Sequence, residues 1–83
     1  MTTLEIDVGD LRATEVSFTD AELVVTLADG RRIATPLAWY PRLARASEAE
    51  RAKYEISPLG IHWEDLDEDL SVAGMLKGRP ARP

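Results

Sequence analysis

The stretch of residues 22–37, ELVVTLADGRRIATPL, decides the fold. Apolar and polar residues alternate on both sides of Asp29-Gly30, which is typical of two strands joined by a two-residue hairpin turn. Both turn positions need a positive φ, and Asp and Gly tolerate it. Alternation with a period of two means that each strand buries one face. The alternating positions are Leu23, Val25 and Leu27 before the turn and Ile33, Thr35 and Leu37 after it.

A third strand is predicted upstream of this hairpin. The run from Ala13 to Thr19 alternates in the same way, and Asp20-Ala21 completes the turn between the strands. The pattern assigns Thr14, Val16 and Phe18 to one face and Glu15 and Ser17 to the other. We therefore predict a three-stranded antiparallel meander. The segment of residues 4–8 is compatible with a further edge strand or with an extended lead-in.

Helical signals begin after Pro36. Pro41 disfavours the α conformation at Tyr40, so a helix is predicted to begin at Pro41. The sequence Ser47-Glu48-Ala49-Glu50 is a capping box and predicts a short helix from residue 48 to about residue 54. A last helix over residues 72–77 is predicted to be capped by Ser71 and ended by Gly78.

The remaining C-terminal segments complete the predicted α+β fold. Residues 57–60 are predicted as a turn, residues 60–63 as one short strand that joins the meander, and residues 64–69 as an acidic loop. The expected architecture is a small antiparallel sheet, a three-stranded meander plus one short strand, with short helices packed on one face. Residues 1–78 should form a single domain, followed by a disordered tail over residues 79–83.

Composition excludes several classes of protein. The chain has 83 residues, enough for one small domain. It has no cysteine, which excludes disulfides and thiolate metal sites, and a single histidine, which excludes a multi-histidine metal centre. No apolar run approaches the ~20 residues of a membrane span, and the opening MTTLEIDVGD lacks the regions of a signal peptide. We therefore expect a cytoplasmic protein without membrane contact.

Charge is distributed unevenly along the chain. Residues 31–53 contain six bases and two acids, whereas residues 54–70 contain six acids and no base, within a net charge of −5. Overall acidity makes nucleic acid an improbable partner for the isolated domain, because non-specific binding needs a basic surface. The basic block of residues 31–53 keeps open an alternative function, a nucleic-acid-binding component of a transcriptional regulator.

No motif indicates catalysis or a bound cofactor. The spacing of Asp65, Asp67 and Asp69 imitates the start of a calcium loop, but Leu70 replaces the required glycine and Leu76 replaces the bidentate glutamate. A loose magnesium site is the alternative to acids that simply cap the last helix. The sequence has no nucleophile elbow and no glycine-rich phosphate loop. We therefore predict no enzymatic activity, no cofactor and no catalytic or metal-binding residues.

A second set of residues is typical of a protein interface. Aromatic residues and arginine give a large contact area with one polar handle each, which makes them frequent anchors of interfaces. An acidic loop beside them would steer a basic partner. Tyr40 and Arg42 are expected at the surface, and at least one tryptophan in the core. The predicted partner-binding residues are Trp39, Tyr40, Arg42, Trp63, Asp67, Glu68 and Asp69. The alternative is internal: Arg42 pairs with the acidic loop.

Five motifs occur in one order along the chain. They are Asp29-Gly30-Arg31, Trp39-Tyr40-Pro41-Arg42-Leu43, Gly60-Ile61-His62-Trp63, Asp67-Glu68-Asp69-Leu70-Ser71 and Leu76-Lys77-Gly78. In this set and spacing the chain resembles the bacterial domain of unknown function 2442, over roughly residues 10–78.

The resemblance implies a function as well as a fold. That family is similar to small α+β domains that stand alone or precede a helix-turn-helix repressor-like domain. Its members often neighbour a short uncharacterised family suspected of toxin-like character, and no catalytic residues are assigned in it. The resemblance therefore implies an antitoxin-like or accessory module. Its partner would be a small protein encoded nearby, such as a toxin-like neighbour, or a second copy of the chain.

Overall fold

The computed structural model describes residues 12–78, which form two three-stranded antiparallel sheets and short helices. The α+β class predicted from the sequence is confirmed. The segment of residues 4–8, compatible with an edge strand or an extended lead-in, and the predicted tail over residues 79–83 lie outside the described residues. The elements are β1 (Ala13–Phe18), β2 (Glu22–Leu27), β3 (Arg32–Pro36), a 3-10 turn (Leu37–Trp39), α1 (Pro41–Ala44), α2 (Glu48–Arg51), β4 (Glu55–Ser57), β5 (Gly60–Trp63), β6 (Glu68–Ser71) and α3 (Val72–Lys77).

The first sheet has the predicted strand order β1-β2-β3. Its central hairpin closes where the Leu27 amide donates to the Arg31 carbonyl at 2.8 Å, so the loop has three residues and not the predicted two. Gly30 has a φ of 93°, whereas the φ of Asp29 is not positive. A three-residue loop needs only one residue in the left-handed region, and glycine supplies it. Asp29 accepts from the Arg31 amide at 3.0 Å, and this hydrogen bond lowers the pKa of the Asp29 carboxyl.

A β-bulge in β1 changes the predicted assignment of side chains to faces. Ala13 pairs with Leu27, but Glu15 pairs with Thr26, so Thr14 is an extra residue on the β1 side. A bulge of this kind reverses the inward-outward alternation at that point. Ala13 is therefore buried and Thr14 exposed, which corrects the predicted inward position of Thr14.

The predicted strand over residues 60–63 exists, but it does not join the meander. It is β5, the central strand of a second sheet of order β4-β5-β6. All three residues of β4 are exposed, so no alternation reveals that strand in the sequence. β6 lies in the acidic run that was predicted to be loop, and it buries Glu68 and Leu70.

The helices begin where the sequence predicts. α1 has Pro41 in its first turn, and α2 has a complete capping box between Ser47 and Glu50. α2 ends at Arg51, about one turn earlier than predicted, and Gly78 ends α3 with a φ of 72°. Within residues 12–78, no helix is long and apolar enough to cross a membrane. The core joins both sheets and the helices; its fully buried side chains are Trp63, Tyr40, Leu23, Leu43, Ile61, Val25 and Val72.

Candidate functional site

Tyr40 is part of the core, which corrects the prediction that it projects from the surface. Its side chain is 1% exposed, and its hydroxyl donates to Thr35 Oγ1 at 3.0 Å. Burial raises the pKa of the Tyr40 hydroxyl. Tyr40 directly precedes α1, whose Leu43 is also buried.

Trp63 and Glu68 are also buried and cannot contact a partner in this state. Trp63 is 0% exposed, and its indole Nε1–H donates to the carbonyl of Arg51 at 3.0 Å. Glu68 is 6% exposed, and its carboxylate accepts from the Asp69 amide at 3.3 Å. The two residues pair directly across β5 and β6, so they share the face that is turned to the core.

The other four predicted partner-binding residues do not form one continuous surface with these three. Trp39 is half-buried and packs against the core. Arg42, Asp67 and Asp69 are exposed. Arg42 Nη1 donates to the main-chain carbonyl of Asp67, so Arg42 ties α1 to the turn before β6. Asp69 lies 4.0 Å from Nδ1 of His62. Arg42 therefore does contact the acidic run within the chain, as the internal alternative proposes. It binds the main-chain carbonyl of Asp67 and not a carboxylate.

The hydrogen bond from Arg42 to the Asp67 carbonyl predicts different stability losses for Arg42→Ala and Asp67→Asn. An ion pair between the two side chains would predict equal losses. Arg42→Ala removes the hydrogen bond and should lower the free energy of unfolding by about 1 kcal/mol. Asp67→Asn keeps the carbonyl, and asparagine tolerates the left-handed φ of 51° at this position, so stability should change by less than about 0.5 kcal/mol. Urea unfolding of both variants measures the difference. Equal losses that are not additive in the double variant would show a carboxylate ion pair instead.

The basic block of residues 31–53 is partly engaged in contacts within the chain. Four of its six bases have a partner within the chain. Arg31 pairs with Asp29, and Lys53 lies 3.7 Å from Asp65. Arg42 and Arg51 donate to main-chain carbonyls. The two ion pairs offset part of the positive charge, and the hydrogen bonds to carbonyls orient Arg42 and Arg51 without neutralising them.

A cleft lies between the end of β1 and α2, and we call it the aromatic cleft. It is open on one side and has a volume of about 510 Å³, which falls in the range of ligand-binding pockets. Phe18 and Tyr54 give it aromatic walls, and both rings lie 6.3 Å from the ring of the buried Trp63. Its lining residues are Val16, Phe18, Thr19, Asp20, Glu48, Arg51, Ala52 and Tyr54.

Arg51 holds the wall of the aromatic cleft in place. Its Nε donates to the carbonyl of Leu43 at 2.8 Å, and its Nη2 donates to that of Ala44 at 3.1 Å. These carbonyls lie at the C-terminal end of α1, where helix carbonyls carry partial negative charge, and that of Leu43 also accepts from the Ala46 amide at 3.2 Å. The guanidinium Cζ also lies 5.2 Å from the centroid of the Phe18 ring. The positive charge of Arg51 is therefore directed to α1 and to Phe18.

The rim of the aromatic cleft is acidic. Asp20 and Glu48 line it and are both exposed. A second depression of about 330 Å³ shares Tyr54 with the cleft and is also lined by Glu55, Glu64 and Asp65, with Lys53 as its one basic lining residue. Since Arg51 is already engaged, this surface favours a cationic group that carries an apolar stem.

Sequence reasoning did not find the aromatic cleft. The capping box predicts where α2 begins, but no local pattern places it beside residues 18–20. The contact depends on the path of the chain through β3 and α1. One signal was available: Phe18 and Tyr54 are two of only five aromatic residues, and neither belongs to the motifs singled out above.

Comparison with known proteins places the chain among proteins without an assigned activity. The model of a protein family of unknown function, DUF2442, matches residues 13–81. An uncharacterised protein of Chromobacterium violaceum, solved by NMR, is 28% identical with a TM-score of 0.72, over 86% of this chain and 69% of that chain. A protein of unknown function from Rhodospirillum rubrum, solved by crystallography, is 32% identical with a TM-score of 0.71, over 86% of this chain and 90% of that chain. No curated protein matches the sequence.

Proposed function

This chain belongs to the DUF2442 family of proteins of unknown function, and we propose that it is a cytoplasmic, non-enzymatic protein-interaction module. In this proposal it is antitoxin-like or accessory in character and binds a small, basic protein encoded nearby. The observation that carries the proposal is the aromatic cleft with its acidic rim. The proposed partner-binding site is therefore the cleft between β1 and α2, and not residues 39–43.

The aromatic cleft supports protein binding on physical grounds. Aromatic walls provide large contact area with little loss of side-chain entropy, which is the property of interface anchors. The side chains of Arg51 and Trp63 fix the walls by donating hydrogen bonds to main-chain carbonyls, so a partner would meet a preorganised surface. A lysine or arginine of the partner could bury its stem against Phe18 and Tyr54 and place its charge between Asp20 and Glu48.

Charge supports a basic protein over nucleic acid. The chain has a net charge of −5, and four of the six bases in residues 31–53 are engaged internally. The phosphate backbone of a nucleic acid needs an array of free cations. A basic protein is instead attracted by the carboxylates of the rim, which would also raise the rate of association.

The proposal is tested by co-expressing the tagged chain with the products of adjacent short reading frames and isolating complexes by size exclusion. The affinity of an isolated complex is then measured by calorimetry for the parent and for Asp20→Asn/Glu48→Gln. We expect the Kd to rise about tenfold or more, as at other charged contacts with an interface anchor. Both side chains are exposed, so the fold should remain intact.

The matched control is Asp67→Asn/Asp69→Asn, which also removes two negative charges, but from the acidic run that the sequence predicted to bind a partner. It should change the Kd less than threefold. A larger effect of this control than of the cleft variant would overturn the assignment of the aromatic cleft. Tight binding of duplex DNA or of RNA at 150 mM salt, with no protein complex, would overturn the proposed function and favour the regulator alternative.

A further inference from the structure

The aromatic cleft and the second depression meet at Tyr54. The cleft has a volume of about 510 Å³ and the second depression a volume of about 330 Å³, and Tyr54 lines both. Tyr54 is half-buried, and its ring lies 6.3 Å from the ring of the buried Trp63, so the core holds this shared wall in place. A ligand that enters both depressions therefore contacts one fixed aromatic side chain.

Acids outnumber bases in each of the two depressions. Their charged lining residues sum to −1 in the aromatic cleft and to −2 in the second depression: Asp20 and Glu48 against Arg51, and Glu55, Glu64 and Asp65 against Lys53. Lys53 lies 3.7 Å from Asp65, which offsets its charge. Glu55 and Glu64 supply the remaining negative charge, and both are exposed. A single cation in the aromatic cleft therefore leaves the second depression without a counter-charge.

We propose that the partner presents two basic side chains from alternate residues of one extended segment. One enters the aromatic cleft, the other enters the second depression, and Tyr54 contacts the apolar stems of both. Alternate residues of an extended chain project to the same side about 7 Å apart, a separation comparable to the width of one aromatic side chain. This inference rests on the proposed function, because it specifies the chemistry of the segment that binds the aromatic cleft.

The two contacts differ in what they contribute to affinity. The aromatic cleft provides apolar area as well as charge, whereas the second depression provides mainly exposed carboxylates, and exposed ion pairs contribute little on their own. Once the first side chain is bound, however, the second contact is intramolecular and occurs at a high effective concentration. We therefore expect the second basic residue to raise the affinity severalfold and to bind only together with the first.

The experiment is an NMR titration of the labelled full chain at about 50 mM salt with two blocked pentapeptides. The dibasic peptide has lysine at its second and fourth positions and alanine elsewhere. In the monobasic peptide, methionine, an uncharged side chain of similar length, replaces the second lysine. The dibasic peptide should bind the parent about fivefold more tightly or better, with amide shift changes at residues 18–20, 48–55 and 64–65.

The variant Glu55→Gln/Glu64→Gln removes the charge of the second depression alone. The advantage of the dibasic peptide should fall below about twofold, while the monobasic peptide keeps its affinity. Both side chains are exposed, so the fold should remain intact. An advantage that survives in this variant would overturn the inference. Equal affinity of the two peptides for the parent would also overturn it, as would the absence of shift changes at about 10 mM peptide.

The matched control is Glu15→Gln/Glu22→Gln, which also removes two negative charges from exposed residues. Both residues lie on the face of the first sheet opposite to Val16 and Phe18, which line the aromatic cleft. The advantage of the dibasic peptide should persist in this control, because the charge lost is remote from both depressions. If the control loses the advantage as well, net charge alone explains the preference and the inference is wrong.

Two further results separate this inference from its alternatives. A linear eight-carbon diamine carries the same two charges without a peptide backbone, and if it binds as tightly as the dibasic peptide, the two depressions select a small amine and not a protein segment. A partner complex that is weakened by Asp20→Asn/Glu48→Gln but not by Glu55→Gln/Glu64→Gln would leave the proposed function standing and overturn this inference. Failure to isolate any partner complex would count against the proposed function, whereas the peptide preference is measured on the chain alone.

Discussion

Gly60→Ala should lower the free energy of unfolding by about 3 kcal/mol or more, the largest loss we expect from an alanine substitution of any glycine within residues 12–78. A Cβ at Gly60 would lie 2.0 Å from the main-chain carbonyl oxygen of Leu70 and 3.0 Å from Cα of Ser71. Those atoms belong to the backbone of β6 and cannot move without separating β6 from β5. Glycine within a strand often marks such a close approach of a second backbone, and severe overpacking costs up to several kcal/mol.

Gly30→Ala is the matched control for this prediction. Position 30 favours glycine because of its backbone conformation and not because of space. Its φ is 93°, and nothing lies within 4 Å of an added Cβ. Its substitution should cost only about 1–2 kcal/mol of backbone strain. Urea unfolding followed by circular dichroism gives both values. If Gly60→Ala is no less stable than Gly30→Ala, the close pairing of β5 and β6 is wrong.

Trp63→Ala should also lower the free energy of unfolding, by about 3–5 kcal/mol. The side chain is fully buried and contacts the rings of both Phe18 and Tyr54, so its removal leaves a large cavity. Trp63→Phe keeps most of this packing but leaves the Arg51 carbonyl without its donor. The loss should then be about 1–3 kcal/mol, the cost of a partly buried acceptor that loses its donor together with a smaller cavity.

Trp39→Phe is the control for Trp63→Phe, because it makes the same substitution at a half-buried tryptophan. Trp39 packs on the edge of the core at 6.4 Å from the ring of Tyr40. Its substitution should cost less than about 1 kcal/mol. Equal losses from Trp39→Phe and Trp63→Phe would mean that the indole hydrogen bond to Arg51 contributes nothing measurable.

The elements of the first sheet and the helix starts could be predicted because local chemistry determines them. The alternation around Asp29-Gly30, the proline at the start of α1 and the Ser47–Glu50 capping box each act within a few residues. The bulge at Thr14 could not be predicted, because an extra residue in β1 is visible only in its pairing with β2. The strand β6 was missed for a similar reason: its acids look solvated until Glu68 is paired with Trp63 across the sheet.

The functional residues were harder to predict than the fold. The motif of residues 39–43 was interpreted as an interface anchor, but its aromatic residues complete the core, since a small domain needs their area. A motif of aromatic and basic residues does not distinguish the two uses. The aromatic cleft depends on the contact of residues 18–20 with residues 48–54, about 30 positions apart, and no local pattern in either segment predicts that contact.

The measurement that tests the central claim most directly is an NMR titration of the labelled chain with a purified partner obtained by co-expression. The aromatic cleft account predicts that amide shift changes concentrate at residues 18–20 and 48–54. They should be largely absent from Asp20→Asn/Glu48→Gln at the same partner concentration. Shift changes centred on residues 31–45 or on the acidic run of residues 64–69, with the cleft unaffected, would contradict the account.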